Sequence, residues 1–312
     1  MDIIKKLAEE LQIRPGQAQA AVKLIDEGNT IPFISRYRKE ATGALNDEVL
    51  RNLYERLNYL RNLEEKREQV LSSIEEQGKL TEELKKQILA ADTLVAVDDL
   101  YRPYRPKRRT RATIAKEKGL EPLANLLSLQ QLDHSAEEEA EAYISEEKGV
   151  ASAEEALQGA MDIVAEAIAD EADYRTYIRE KTMKKGTLTS TAKDEKAESV
   201  YEMYYNFEEP VAKLAGHRIL ALNRGEKEKI LTVKLEAPEE EIIRYLEKKT
   251  TRRENPYTTP YLKEAVADSY QRLIAPAIER EIRNSLTEEA QEGGKAFLEK
   301  RKPRFQDYPK FP

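Results

Sequence analysis

A mostly α-helical, multi-helix scaffold, with helix-turn-helix-like elements and at most a short strand or hairpin near 229–235, is the fold class this sequence predicts. Three observations lead there. Apolar residues recur at three- and four-residue steps through most of the chain, as one buried helix face requires. Glycine and proline number only 12 and 13 in 312 residues, too few for a loop-rich β architecture. Charged residues make up 36% of the chain and hydrophobic ones 40%, which suits long helices with solvated outer faces.

The elements follow in order. Ile3, Ile4, Leu7 and Leu11 mark one helical face, which Arg14, Pro15 and Gly16 break. A second helix through Ala18, Val22 and Ile25 ends at Gly28, a natural left-handed cap, so the two form a helical hairpin. Pro32 and Gly43 then bracket a short helix carrying a weak basic cluster, Arg36, Arg38 and Lys39. Asn46 caps a long helix to about Gln77, with Leu50, Leu53, Leu57, Leu60 and Leu63 on one stripe and Gly78 at its end. The stripe reads as packing within one chain rather than as a coiled coil. Thr81 caps a helix to Ala91, and a short apolar turn, Leu94 to Val97, follows.

Beyond residue 113, Gly119 and Pro122 restart a helix, and Ser135 caps the charged helix start at Glu137 to Glu141. Ser152 caps a helix with Leu157, Met161, Val164 and Ile168 on one side, continued by Tyr174, Tyr177 and Ile178. A basic turn, Lys181 to Gly186, separates it from an expected helix over Ala197 to Phe207, and such a pair resembles a helix-turn-helix. A helix over Ala212 to Asn223 precedes Lys229 to Leu235, which alternates as a strand does and needs a pairing partner. Glu239 to Lys249 is helical again. The segment TRRENPYTTPY is a Pro/Tyr/Arg loop before a last helix from Tyr261 to about Asn284, expected to bend at Pro276. The expected domain limits are 1–185, 186–285 and 286–312.

One stretch does not read as amphipathic helix. Between Asp98 and Thr113 lie Arg102, Arg105, Lys107, Arg108, Arg109 and Arg111, with Tyr101 and Tyr104 interleaved. Pro103 and Pro106 lack backbone donors and push their neighbours into extended geometry, so the segment is a stiff cationic ribbon. The net charge of the chain is −7, which confines any polyanion contact to local patches of this kind. Arginine forks beside aromatic rings suit phosphate contact and base stacking. Equally, some of the six cations can pair with acidic helices inside the fold, with the tyrosines in the core; Asp98 and Asp99 are candidates for neutralising Arg102 or Arg105.

Other chemistries find little support. There is no cysteine, which removes disulfides, thiolate metal sites and thiol nucleophiles, and fits a reducing, cytoplasmic setting. The two histidines, His134 and His217, sit in no metal-ligand pattern, and Arg224-Gly225-Glu226-Lys227 lacks the spacing of a phosphate loop. No nucleophile, base and orienting group can be assembled, so a non-enzyme without cofactor or metal is expected. No apolar run reaches the ~20 residues of a membrane span. Lys5, Lys6, Glu9 and Glu10 stand where a signal peptide is apolar.

Four blocks carry a family resemblance: AAVKLIDEGNTIPFISRYRKEATGAL, DDLYRPYRPKRRTRATIAKEKGLEPLA, AGHRILALNRGEKEKILTVKL and TRRENPYTTPYLKEAVADSYQRLIAPAIEREIRN. Together they resemble the N-terminal half of the Tex family of bacterial transcription accessory proteins. The resemblance implies a helical scaffold with helix-turn-helix character, a role in transcription and binding to RNA or DNA. It also implies further YqgF-type, helix-hairpin-helix and oligonucleotide-binding barrel domains that these residues do not include, so that the chain reads as a truncated family member. From about Leu286, LTEEAQEGGKAFLEKRKPRFQDYPKFP is similar to the C-terminal end of dihydroxynaphthoyl-CoA synthase, a crotonase-superfamily enzyme, as a gene fusion joined near Ser285 would leave it. The expected function is a non-catalytic, nucleic-acid-binding transcription accessory scaffold whose contacts are Arg102, Arg105, Lys107, Arg108, Arg109 and Arg111, with Tyr101 or Tyr104 stacking. The alternative is a protein-interaction module docking RNA polymerase or the remaining Tex domains.

Overall fold

The computed structural model describes residues 2–298, and side chains through residue 294. It divides into two compact units, Met1–Tyr101 and Arg102–Gly294.

In the first unit, α1 (Ile3–Glu10) starts at Asp2, whose carboxylate accepts the backbone N–H of Lys5 at 3.0 Å. Its apolar face packs on α2 (Pro15–Asp26), and α3 (Ile31–Tyr37) follows. Asn46 caps α4 (Asp47–Glu76), accepting from Val49 N at 2.8 Å. Thirty residues at 1.5 Å each make α4 a rod of about 45 Å. Leu50, Leu53, Leu57 and Leu60 close a core with Leu7, Ala18, Ala21 and Ile34, so the leucine stripe is packing within the chain. The distal part of α4 receives α5 (Glu82–Ala90) and α6 (Leu94–Tyr101). There Arg67 is buried, and its Nη2 donates at 2.8 Å to the carbonyl of Ala91, the C-cap of α5. A charged side chain thus satisfies a helix end that would otherwise lack a donor.

The second unit is built around α10 (Ala153–Asp170), reached through α7 (Arg111–Glu117), α8 (Glu121–Leu129) and α9 (Ala136–Glu141). All three pack on α10, which is buried on most of its circumference through Ala156, Leu157, Ala160, Ile163, Val164 and Ile168. Gly159 permits the approach: a Cβ there would lie 2.4 Å from Leu120 Cδ1 and 3.2 Å from Ala115 Cβ. Next comes α11 (Ala172–Lys185), with Arg175 and Arg179 buried against Glu281.

The expected helix over Ala197 to Phe207 is not formed, and with it goes the helix-turn-helix at Lys181 to Gly186. In its place β1 (Thr187–Ala192) leaves α11 directly, a single 3₁₀ turn spans Glu202–Tyr204, and β2 (Asn206–Pro210) returns. After α12 (Gly216–Lys227), β3 (Leu231–Glu236) pairs with β1, giving a three-stranded antiparallel sheet of order β2-β1-β3. Leu188 faces Leu235 and Ser190 faces Val233 across β1 and β3. The expected strand near 229–235 therefore has its partner within the chain. Tyr201, Tyr204, Ile219 and Leu222 cover the sheet in a small second core.

Helix α13 (Glu239–Thr250) and α14 (Thr259–Asp268) return to α10. The chain continues as a π-helical stretch, Ser269–Ile274, and then α15 (Ala275–Leu298). Pro276 has no N–H to give the carbonyl of Arg272, and the distortion falls just upstream of it rather than as a break. Helix α15 runs through Ser285 without interruption, and Leu286 and Ala290 pack against the sheet's core. Residues 299–312, the end of the expected synthase-like tail, lie outside the described residues.

Candidate nucleic-acid interface

The ribbon leaves α6 at Tyr101 and re-enters helix at Arg111. Between them residues 102–104 form a turn and 106–110 have no regular structure, as the two prolines require. Thr110 ends it as the N-cap of α7, its hydroxyl accepting from Thr113 N at 3.0 Å.

The cations divide into two sets. Two point at α10: Arg102 Nε lies 3.2 Å from Asp170, and Lys107 Nζ contacts both Asp170 and, at 3.7 Å, Glu166. These carboxylates are largely buried, at 12% and 18% side-chain exposure, so the pairs are shielded enough to hold the ribbon in place. Arg108 and Arg109 point outward and are exposed; Arg105 is exposed too but has an interaction within the fold. Arg109 meets Glu117 at 2.7 Å, but with 68% of its side chain in water this pair is weak and easily exchanged. Arg108 has no ion-pair partner among the described residues. Arg111, also exposed, lies near the acids of the α10–α14 contact.

Those acids are balanced locally. Burial raises the pKa of the Asp162 carboxyl above its ordinary value, and the positive charges of Arg272 and Arg111 oppose that rise. Asp268 is held below the usual carboxylate range chiefly by its hydrogen bond from Arg272, whose Nη2 also lies 3.4 Å from Asp162. Thus Asp162, Glu166 and Asp170 form a stripe at four-residue spacing on an otherwise apolar helix. The stripe is legible in MDIVAEAIADE but only becomes meaningful once the cations that face it are known.

The tyrosines are placed less openly. Tyr101 ends α6 half-buried, with its hydroxyl 2.9 Å from Ser73 Oγ, so it serves packing in its own unit rather than offering a stacking face. Tyr104 is half-buried in the turn. In the first unit, Arg38 lies 5.7 Å from the centre of the Phe33 ring, within the weaker basic cluster. Elsewhere, His134 bridges Asp133 and Glu139, whose hydrogen bonds raise its pKa. No group of three or more potential metal ligands occurs among the described residues, and no described helix is long and apolar enough to cross a membrane.

Comparison with known proteins gives the family. Residues 1–75 match the Tex-like protein N-terminal domain, and residues 131–294, more than half of the chain, match the Tex central region-like family. The chain belongs to the Tex family. The transcriptional accessory protein Tex of Neisseria gonorrhoeae is 44% identical over 237 residues, covering 75% of this chain and 31% of that protein. YdcI of Bacillus subtilis, an uncharacterized protein, is 48% identical over 292 residues, covering 92% of this chain and 40% of YdcI. The human S1 RNA-binding domain-containing protein 1 is 30% identical over 306 residues, 93% of this chain and 30% of its own length. The chain therefore spans roughly a third of the Tex-family relatives it matches. The Tex match runs to residue 294, past the junction expected at Ser285, and none of these matches supports a synthase-like tail. The ribbon lies between the two matched segments.

Proposed function

We propose that this Tex-family chain is a non-catalytic transcription accessory scaffold that contacts nucleic acid through the outward arginines of the ribbon. The observation that carries this reading is the division of its cations. Arg102 and Lys107 are spent on Asp170 and Glu166, while Arg108 and Arg109 are exposed to water on a proline-stiffened backbone. Immobilising an arginine fork before binding lowers the entropy cost of each phosphate contact. The names of two relatives, a transcriptional accessory protein and an S1 RNA-binding domain-containing protein, agree with such a partner. Because the chain is acidic overall, binding is expected to be weak and salt-sensitive.

The alternative of a protein-docking module draws on a lone strand at 229–235 and on the length of the helix that Asn46 caps; β3 is paired along β1, and the leucine stripe of α4 is buried within the chain. No observation now favours that alternative over the ribbon. Fluorescence anisotropy with a labelled single-stranded RNA and a duplex DNA at low salt tests the proposal. The Arg108→Ala/Arg109→Ala variant is expected to bind both about tenfold more weakly, each lost phosphate contact removing part of a charge-driven affinity. Equal binding by variant and wild type would refute it.

A further inference from the structure

The segment TRRENPYTTPY, which the ribbon leaves unused, forms a second arginine-bearing surface in the same unit, and its backbone is fixed by an unusual device. Gln130, the C-cap of α8, sits in the left-handed region at φ 54° and is only 3% exposed. Its side-chain oxygen accepts from Arg252 N at 2.9 Å, and its Nε2 donates to Arg253 O at 2.7 Å. Asn255 Nδ2 donates in turn to the carbonyls of Gln130 and Leu132, at 3.1 and 2.8 Å. A buried polar network of this kind fixes one backbone conformation. What it presents is Arg252, Arg253 and Tyr257, all exposed, with no carboxylate among the described residues paired to either arginine.

Beside Arg252 opens a cleft of about 570 Å3 between α8, α10 and α13. Buried Ile168 and 61% exposed Leu129 give it apolar surface, and Asn125, Tyr174, Lys249 and one acid, Glu171, stand around it with Arg252. Tyr174 is held edge-on to Tyr245 at 6.1 Å, and Tyr245 is stacked on Tyr177 at 3.6 Å, so the aromatic wall is supported from behind. The volume suits one small planar group rather than the long groove that an amphipathic peptide helix fills. Apolar surface, an aromatic edge, an amide and two lining cations, Lys249 and Arg252, against the one acid Glu171 are features that suit an unstacked base and its phosphates.

The position fits the same partner. Glu166 and Asp170 of α10 anchor the ribbon, while Ala167 and Ile168 of the same helix, with the cap residue Glu171 that follows it, line the cleft. We propose that the cleft is a second contact for single-stranded nucleic acid. It accepts one base against Leu129, Ile168 and Tyr174 while Lys249, Arg252 and Arg253 hold the neighbouring phosphates. This rests on the nucleic-acid reading of the ribbon and extends it by selecting single strands over duplexes.

The full chain, titrated with a nine-nucleotide single strand carrying one 2-aminopurine and with the duplex of the same sequence, tests this. Wild type is expected to change the 2-aminopurine emission on binding. Leu129→Asp, at an exposed position, is expected to abolish that change and weaken single-strand binding about tenfold, as loss of one stacked base does, with duplex affinity unaltered. Arg252→Ala/Arg253→Ala is expected to weaken single-strand binding in the same direction. Equal effects on both substrates, or none on the single strand, would overturn the cleft assignment. So would loss in these variants of binding to a labelled Glu/Leu-rich peptide with nucleic-acid binding intact. Failure of the ribbon variant to lose either substrate would instead sink the underlying reading.

Discussion

Arg175 is fully buried on α11 and shares Glu281 with Arg179, whose Nη2 lies 2.9 Å from that carboxylate. Two guanidinium groups converging on one acid tie α11 to α15, and removing the acid leaves both charges in a poorly solvated place. A third of the Glu281 side chain is exposed, which moves the expected cost to the low end of the range. Glu281→Ala should therefore lose about 3 kcal/mol in urea unfolding. Tyr270 gives a residue-level test at alkaline pH. Burial pushes its hydroxyl up to about 12 from the ordinary 10. A raised pKa contributes stability that is intact below pH 10 and is lost as pH climbs toward 12, because the unfolded chain ionises first. Unfolding midpoints measured across that window should fall less steeply for Tyr270→Phe than for wild type. Neither residue was legible in the sequence: an arginine in DYRTYIRE reads as solvent-facing until the acid opposite, more than a hundred positions later, is known.

The ribbon is the element whose character was most legible and whose use was least so. Two prolines and six cations announce an extended basic segment, but which cations face inward depends on the acid stripe of α10. If Asp170 is the anchor, Asp170→Asn should release the segment at a cost of about 1 kcal/mol. Trypsin should then cut faster after Lys107, Arg108 and Arg109, the bonds into Pro103 and Pro106 being poor sites; an unchanged cleavage rate would mean that the anchor lies elsewhere. The helices of the first unit were legible because caps and leucine spacing agree, as at Asn46 and along α4. The sheet was not. In TLTSTA only Leu188 is a large apolar residue, since Ser190 takes the second inward position, so no alternation marks β1. The stretch around Tyr201 and Tyr204 shows helical spacing because its tyrosines cover the sheet from a 3₁₀ turn.

For the whole molecule, long specific blocks identified the family, and the match to residues 131–294 confirmed it. Charge limits where any polyanion contact can lie: a chain of net charge −7 can meet a polyanion only where its surface is locally reversed. The pairing of Arg102 and Lys107 with α10 fixes the frame from which Arg108 and Arg109 project. The most direct measurement is the dependence of single-stranded RNA affinity on salt concentration, for wild type and for Arg108→Ala/Arg109→Ala. If the two arginines each neutralise a phosphate, the slope of log affinity against log salt should flatten by about 0.7 for each, about 1.4 in all. Superimposable slopes would contradict the account.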